Sequence, residues 1–406
     1  MANNNKHTGP NVPALRFPEF SGEWIESKLG DIADFSKGAG ISKDQRSEEG
    51  NPCILYGELY TRYKSEVITN VFSKTALPDS ELVKSKSNDI IIPASGETAE
   101  DIATARCVPF DNILLGGDLN IIRLHEQDGK FFSYQLNGVR KYNIATVAQG
   151  VSVVHLHAGD LKGITVKYPS HIAEQEKISQ ILGLIDDRIA TQSKIIEELK
   201  TLRSALRQRL IYQGSSDRIP LLCFAELKNG YAFKSNTYTE TGNHAIITIS
   251  NVTGERYIST EGCNKIQYIP SDIQDYQILH FGDILISMTG NVGRVSMCAK
   301  GSYLLNQRVG LLKIKPEYIE SSEFIFQCLR DLSFTNAMKN KGQGAAQQNI
   351  GKGDIESYEI PWFDDARYMK SVANLLLEFD NAVLVEEKQY VKYTVQKAWL
   401  LSKLFI

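Results

Sequence analysis

SHIAEQEKISQILGLIDDRIATQSKIIEELKTLRSALRQRLIY, residues 170–212, contains no proline and one glycine, Gly183. Within it Leu182, Ile189, Ile196, Arg203 and Leu210 recur at every seventh position. Ile178, Ile185, Gln192, Leu199 and Leu206 form a second series of the same period. Apolar side chains spaced this way share one stripe of a helix, and such a stripe is buried by a partner helix. Ser170, directly after Pro169, is the expected N-cap. A helix of this length extends roughly 60 Å at about 1.5 Å per residue.

The partner lies 194 residues further on. Residues 364–406 reproduce the stripe as Leu376, Val383, Tyr390, Lys397 and Leu404, with Val372, Phe379, Glu386, Tyr393 and Leu400 beside it. Asp364 takes the cap position. Upstream the same offset relates Asn88-Asp89-Ile90-Ile91-Ile92 to Gly282-Asp283-Ile284-Leu285-Ile286, Gln149-Gly150 to Gln343-Gly344, and Gly159-Asp160-Leu161 to Gly353-Asp354-Ile355. Ile185-Asp186 corresponds to Phe379-Asp380, while Leu114-Leu115 aligns with Leu304-Leu305 at an offset of 190, as loops of unequal length would produce. A period this long is a repeated domain plus helix, not a solenoid.

The expected organisation is an arm over 1–20, a globular region over 21–169, a helix over 170–212, a second globular region over 213–363 and a second helix over 364–406. Short apolar or alternating runs such as Asp89–Ile92, Leu119–Leu124, Val151–Leu156, Ala245–Ile249, Asp283–Ser287 and Val309–Ile314 read as strands; 131–142 and 323–339 read as helices. The fold class is α/β, mixed α+β: two similar globular domains separated by an antiparallel two-helix coiled coil, related by a pseudo two-fold internal repeat. The expected helix-pair interface is Ile178, Leu182, Ile185, Ile189, Ile196, Leu199, Leu206 and Leu210 against Val372, Leu376, Phe379, Val383, Tyr390, Tyr393, Leu400 and Leu404. The polar exceptions repeat as well. Gln192 and Glu386, and Arg203 and Lys397, either fix the register or cover the stripe with long stems whose heads reach water.

The 406 residues, 42% hydrophobic and 23% charged, suit two or three folded domains. No run approaches a membrane span or a signal peptide, so a cytoplasmic location is expected. Cys53, Cys107, Cys223, Cys263, Cys298 and Cys328 lack CxxC spacing and read as free thiols. A net charge of −3 argues against a general phosphate-gripping surface and requires any basic face to be local.

Such residues cluster in the globular regions. Lys37, Lys43, Arg46, Tyr60, Arg62, Lys64, Arg106 and Lys141 stand out in the first; Lys234, Arg256, Asn291, Arg294, Arg308, Lys339, Lys341, Gln343 and Gln347 in the second. Their side chains suit phosphates or base edges. Each has an ordinary surface reading too. The Gly-rich run Lys339–Gln348 adds flexible backbone amides. Catalytic signatures are missing. There is no GxxxxGK[ST] run, and the GxG pieces at Gly38 and Gly342 do not extend to a dinucleotide fingerprint. His155 and His157 have no third ligand nearby, and Pro78-Asp79, Glu81 and Lys84 are too loosely spaced for metal-assisted hydrolysis. No metal and no catalytic residue is expected.

The assembled pattern resembles the DNA specificity subunit of bacterial type I restriction–modification systems over almost the whole chain. Leu15-Arg16-Phe17-Pro18-Glu19-Phe20 with Gly22, Glu23 and Trp24 is similar to that family's entry into its first recognition domain. Gly159-Asp160-Leu161 and Gly353-Asp354-Ile355 are similar to its domain exits, and Glu174-Gln175 with Ile178, Ile181, Leu182 and Ile185-Asp186 to its first conserved helix. The second copy departs from this with Ser371-Val372 in place of Glu-Gln. The resemblance implies two target recognition domains reading the halves of an asymmetric, interrupted site in double-stranded DNA. The helix pair would act as a ruler for the gap. Two modification (methyltransferase) subunits and two restriction (translocase and nuclease) subunits would be partners, in the bacterial cytoplasm. S-adenosylmethionine, ATP and Mg2+ would sit on those partners and none on this non-enzymatic chain. The rival reading is a structural adaptor that joins proteins and binds no DNA; an enzyme is the more distant alternative.

Overall fold

The computed structural model describes residues 11–406 except 79, 81, 151–152, 214–216 and 343–347. Two compact units divide the chain: Met1–Ser193 with Gln389–Ile406, and Lys194–Lys388. The first is built on β1 (Ala33–Lys37), β2 (Asp89–Pro93), β3 (Arg106–Val108) and β4 (Leu119–Leu124), antiparallel in the order β1-β4-β2-β3. The second uses β5 (Ala225–Asn229), β6 (Ile284–Ser287), β7 (Val295–Met297) and β8 (Val309–Ile314) in the matching order β5-β8-β6-β7. Each unit adds a smaller four-stranded sheet containing one parallel pair, Asn51–Ile54 with Leu114–Leu115 and His244–Ile247 with Tyr303–Leu305.

The continuous apolar runs are explained by burial on both faces of the main sheets. Side chains alternate along a strand. Ile90 and Ile92 enter the cluster around Trp24 and Phe131, whereas Ile91 packs with Ile54 and Leu59. In the second unit Ile284 and Ile286 face Phe324 and Phe326 while Leu285 joins Ile247 and Leu305. The repeated aspartates close the turns before these strands. The Asp89 carboxylate accepts from the Lys86 N–H and that of Asp283 from the His280 N–H, both at 2.8 Å. The residues preceding them, Asn88 and Gly282, have φ of +80° and +92°, the left-handed region open to Asn and Gly.

Both expected short helical regions are interrupted. The first divides into α1 (Gly129–Asn137) and Lys141–Val147, the second into α3 (Ser322–Leu329) and Leu332–Lys341. Gly138 leaves helical geometry in one, and Asp331 restarts the helix in the other by accepting from the Ser333 N–H. Both α1 and α3 bury aromatic faces, Phe131, Phe132 and Tyr134 in one and Phe324 and Phe326 in the other.

The long helices are α2 (Ile172–Arg207), prolonged by a π turn over Gln208–Tyr212, and α4 (Ala366–Leu404). Their starts correct the expected caps. Helix α2 begins after His171 rather than Ser170, and Asp365, not Asp364, accepts from the N–H groups of Arg367 and Tyr368. Within each unit the two helices run antiparallel. In the first unit Ile178 and Leu182 share a cluster with Leu404, Asp186 meets Lys397, and Arg188 lies over Tyr393. In the second Lys200 meets Glu387, Arg203 meets Asp380, and Leu206 and Leu210 share a cluster with Val372 and Leu376. Numbers rise along one helix as they fall along the other. The ends of the heptad stripe are buried in the globular cores, whereas Ile189, Ile196, Leu199 and Tyr393 are half-buried.

Candidate nucleic-acid interface

Each globular unit is seated on its helices by a buried charge cluster. In the first, Lys397 lies 2.5 Å from Glu66 and 2.6 Å from Asp186, and the Tyr134 hydroxyl donates to Asp186 at 2.7 Å. In the second, Asp380 accepts from Arg203 at 2.5 Å, from Arg330 at 2.7 and 2.8 Å, from Arg256 at 3.0 Å and from Gln327 at 2.8 Å. Asp186 and Asp380 share the repeat offset of 194, as do Arg203 and Lys397. The domain side contributes equivalent positions: the Glu66 carbonyl accepts from the Cys107 N–H, and the Arg256 carbonyl from the Met297 N–H. At that position the charge is reversed. Burial raises the pKa of Glu66 against the pull of Lys397. Burial also acts to raise Asp380, but Arg330 and Arg203 outweigh it and hold the carboxyl at about 2.

The arm is bound to the first unit through a second buried carboxylate. Glu174 accepts from Arg16 twice, at 2.8 Å each, and from the Trp24 indole at 3.4 Å. The Leu15 N–H donates to the Lys403 carbonyl at 2.9 Å.

These clusters sort the sequence candidates. Arg106 and Arg256 do not belong to a contact surface. Arg106 is buried and donates to the carbonyls of Tyr63 and Ala105, and Arg256 is consumed by Glu323 and Asp380. Charged groups this deep are paired because isolated ones are too costly. Lys37, Lys43, Arg46 and Lys64 are exposed, Tyr60 and Lys141 half-buried. Arg62 is held by Glu58 at 3.0 Å and lies over Phe72. Lys141 faces Glu100 at 3.9 Å. Lys43 and Arg46 come together with Lys74 around a shallow depression of about 380 Å³. In the second unit Lys234, Asn291, Arg294, Arg308 and Lys339 are exposed, and Lys341 donates to Ser357 at 3.1 Å. Gln343 and Gln347 lie outside the described residues, as do Val151 and the Asp79 and Glu81 of the loose acidic motif.

A polar cavity of about 720 Å³ in the second unit gathers Asn229, Thr289, Gln307, Arg308 and Asn349. Among the described residues no group of three or more His, Cys, Asp or Glu could hold a metal ion. The rings of His155 and His157 stack 6.4 Å apart. All six cysteines are free, and no described helix is long and apolar enough to cross a membrane.

Sequence reasoning picked out Asp186, Asp380, Arg203 and Lys397 as repeated positions but missed Glu66, Tyr134 and Gln327. A signal existed: Arg203 and Lys397 are the basic residues on the mainly apolar stripes, and each, if buried, calls for a carboxylate on the facing surface.

Residues 21–201 and 223–362 match the family described as the type I restriction modification DNA specificity domain. The putative type I restriction enzyme MjaX specificity subunit of Methanocaldococcus jannaschii is 24% identical over 301 residues, 69% of this chain and 68% of that protein. The crystal structure of a type I restriction-modification system S subunit from M. genitalium has a TM-score of 0.66 at 18% identity, over 97% of this chain and 99% of that one. A chain from structural work on complex assembly and conformational transition of the type I R-M system gives 0.52 at 12% identity, over 94% and 97%. Two repeated sheet units, long helices antiparallel within each, and a family match over most of the chain lead to one assignment: this protein belongs to the type I restriction–modification DNA specificity family, as a DNA-binding, non-catalytic specificity subunit.

Proposed function

We propose that this chain reads an asymmetric two-part site in double-stranded DNA, one part with each globular unit, and thereby positions two methyltransferase subunits and two restriction subunits. The observation that carries this reading is the pairing of one topology with two different sets of exposed polar groups. Both units have the same strand order. Yet Lys43, Arg46 and Lys74 cluster in the first, and Asn229, Gln307 and Arg308 in the second. Equal scaffolds with unequal loops suit unequal half-sites. The recognition segments are 21–169 and 213–363, with 170–212 and 364–406 as spacer helices. Lys37, Lys43, Arg46, Lys64, Lys234, Asn291, Arg294, Arg308, Lys339, Lys341, Gln343 and Gln347 remain the contact candidates.

Base edges give sequence information and phosphates give position. The chain's part is recognition and placement. S-adenosylmethionine, ATP and Mg2+ belong to the partner subunits in the bacterial cytoplasm, and the target adenine is turned out of the duplex for their chemistry. Methylome sequencing of cells expressing this chain with its modification subunit tests the reading. One motif with two dissimilar halves and a fixed gap is expected. Methylation without such a motif, or a chain that assembles with partners yet binds no duplex in a mobility-shift assay, rejects it in favour of a protein adaptor.

A further inference from the structure

The turn before the last strand of each main sheet differs in chemistry between the units. In the first unit it is Gly116-Gly117-Asp118, in the second Asn306-Gln307-Arg308. The backbone is placed in the same way. The Asp118 carbonyl accepts from the Ala94 N–H at 2.7 Å, and the Arg308 carbonyl from the Met288 N–H at 3.1 Å. The side chains have opposite fates. The Asp118 carboxylate is occupied, accepting from the Ser95 hydroxyl at 3.1 Å. Arg308 is exposed, and its guanidinium has no ion-pair or hydrogen-bond partner among the described residues.

The base of Arg308 is nevertheless fixed. Its N–H donates to the Asn306 side chain at 3.3 Å. The turn is tied to the adjacent strand end by backbone bonds, the Gln307 N–H donating to the Tyr231 carbonyl at 2.9 Å and the Tyr231 N–H to that of Leu305 at 2.8 Å, and Gly230 approaches the Asn306 carbonyl so closely that a Cβ there would lie 2.2 Å from the oxygen. Across the cavity the Thr289 hydroxyl donates to Asn349 Oδ1 at 3.0 Å. That occupies the amide oxygen and leaves the Asn349 NH2 as a donor. The cavity mouth therefore offers, on a fixed backbone, a guanidinium with no partner among the described residues, together with an oriented amide donor. Neighbouring Gln307 and Asn229 are exposed, and among the described residues no acidic side chain lines the cavity.

We infer that Arg308, supported by Asn349, is a base-reading residue of the second unit and that it recognises the O6 and N7 edge of a guanine in the major groove. This rests on the DNA-reading function proposed above. A guanidinium presents two parallel N–H groups to the two acceptors of guanine, whereas adenine offers N7 beside a clashing donor. The equivalent turn of the first unit cannot read in this way, because its carboxylate is of the wrong sign and already engaged.

The test uses the full chain with its modification subunit. Wild type, Arg308→Ala and Arg308→Gln are compared by methylome sequencing, and by duplex binding at several salt concentrations. For Arg308→Ala we expect one guanine of one half-site to become degenerate, discrimination there falling about 5- to 150-fold. The other half-site and the gap stay unchanged. For Arg308→Gln the same position shifts towards adenine. An unchanged motif in both variants overturns the assignment. So does a uniform loss at all sequences with a shallower salt dependence, which marks a phosphate contact. Since Arg308 is exposed, melting curves of both variants should match wild type. If the wild-type complex yields no two-part motif, the proposed function itself fails, a result distinct from a wild-type motif that the variants leave intact.

Discussion

The two helix junctions solve one packing problem with opposite electrostatics. In the first unit a lysine, Lys397, sits between two acids; in the second an acid, Asp380, sits among Arg203, Arg256 and Arg330. The helix partners are equivalent by the repeat, and the domain residue changes sign from Glu66 to Arg256. What the repeat retains is a buried ion pair between helices, while the domain remains free to attach to either member of that pair. A glutamate can reach the basic side and an arginine the acidic side. This frees each globular unit to diverge in its loops while its seat on the helices is kept.

The largest expected effect follows from removing the central acid. Asp380→Ala leaves three arginines without their shared carboxylate and should destabilise the second unit by about 3–5 kcal/mol. Urea unfolding followed through Trp362 would show it; a change below about 1 kcal/mol would mean the cluster is not what holds the unit. The pH dependence has a definite sign. Because Asp380 is depressed to about 2, its contribution is complete above the ordinary carboxylate range and disappears as pH falls through about 2.

Lys397→Ala should cost less, about 2–3 kcal/mol, since the raised Glu66 can take up a proton and escape as a neutral acid. A carboxyl raised in the folded state favours folding at low pH and loses that advantage as pH rises through its folded value. The variant should therefore recover stability relative to wild type as pH falls, because its Glu66 is raised by burial with no lysine left to oppose it. Identical pH profiles for the two would break the contrast.

A smaller comparison concerns the starts of α1 and α3. Asp128 caps α1 through the N–H groups of Lys130 and Phe131 and also accepts from the Ser179 hydroxyl at 2.6 Å. Ser321, before α3, makes no such side-chain bond. Asp128→Ala should cost about 0.5–2 kcal/mol, and Ser321→Ala a few tenths at most, read from thermal melts. Arg62→Ala, which removes a half-exposed pair with Glu58, should change stability by less than about 1 kcal/mol.

The repeat, the two long helices and their direction were legible because heptad periodicity and a recurring offset are properties of sequence order. The strand pair Asp89–Pro93 and Ile284–Ser287 was visible for the same reason. The seats of the domains were not. Glu66 and Arg256 lie in loops whose register slips to an offset of 190, and a charge reversal conceals their equivalence from any search for likeness. Arg106 and Arg256 were read as surface groups because composition cannot tell an arginine that meets DNA from one that neutralises a buried acid. The cap of α4 was misplaced by one residue within Asp364-Asp365, where either carboxylate fits the pattern and only backbone geometry decides.

Segment 389–406 contributes Leu404 and Phe405 to the core that also holds Trp24 and Phe131. On the ribosome, then, order of synthesis and order of completion differ. The first unit must wait with an unfilled apolar slot while Lys194–Lys388 is translated, about 10–40 s at typical elongation rates. The second unit, continuous in the chain, can close before the first is finished. A released chain ending at Lys388 should accordingly protect its later half from protease while its earlier half is still cut.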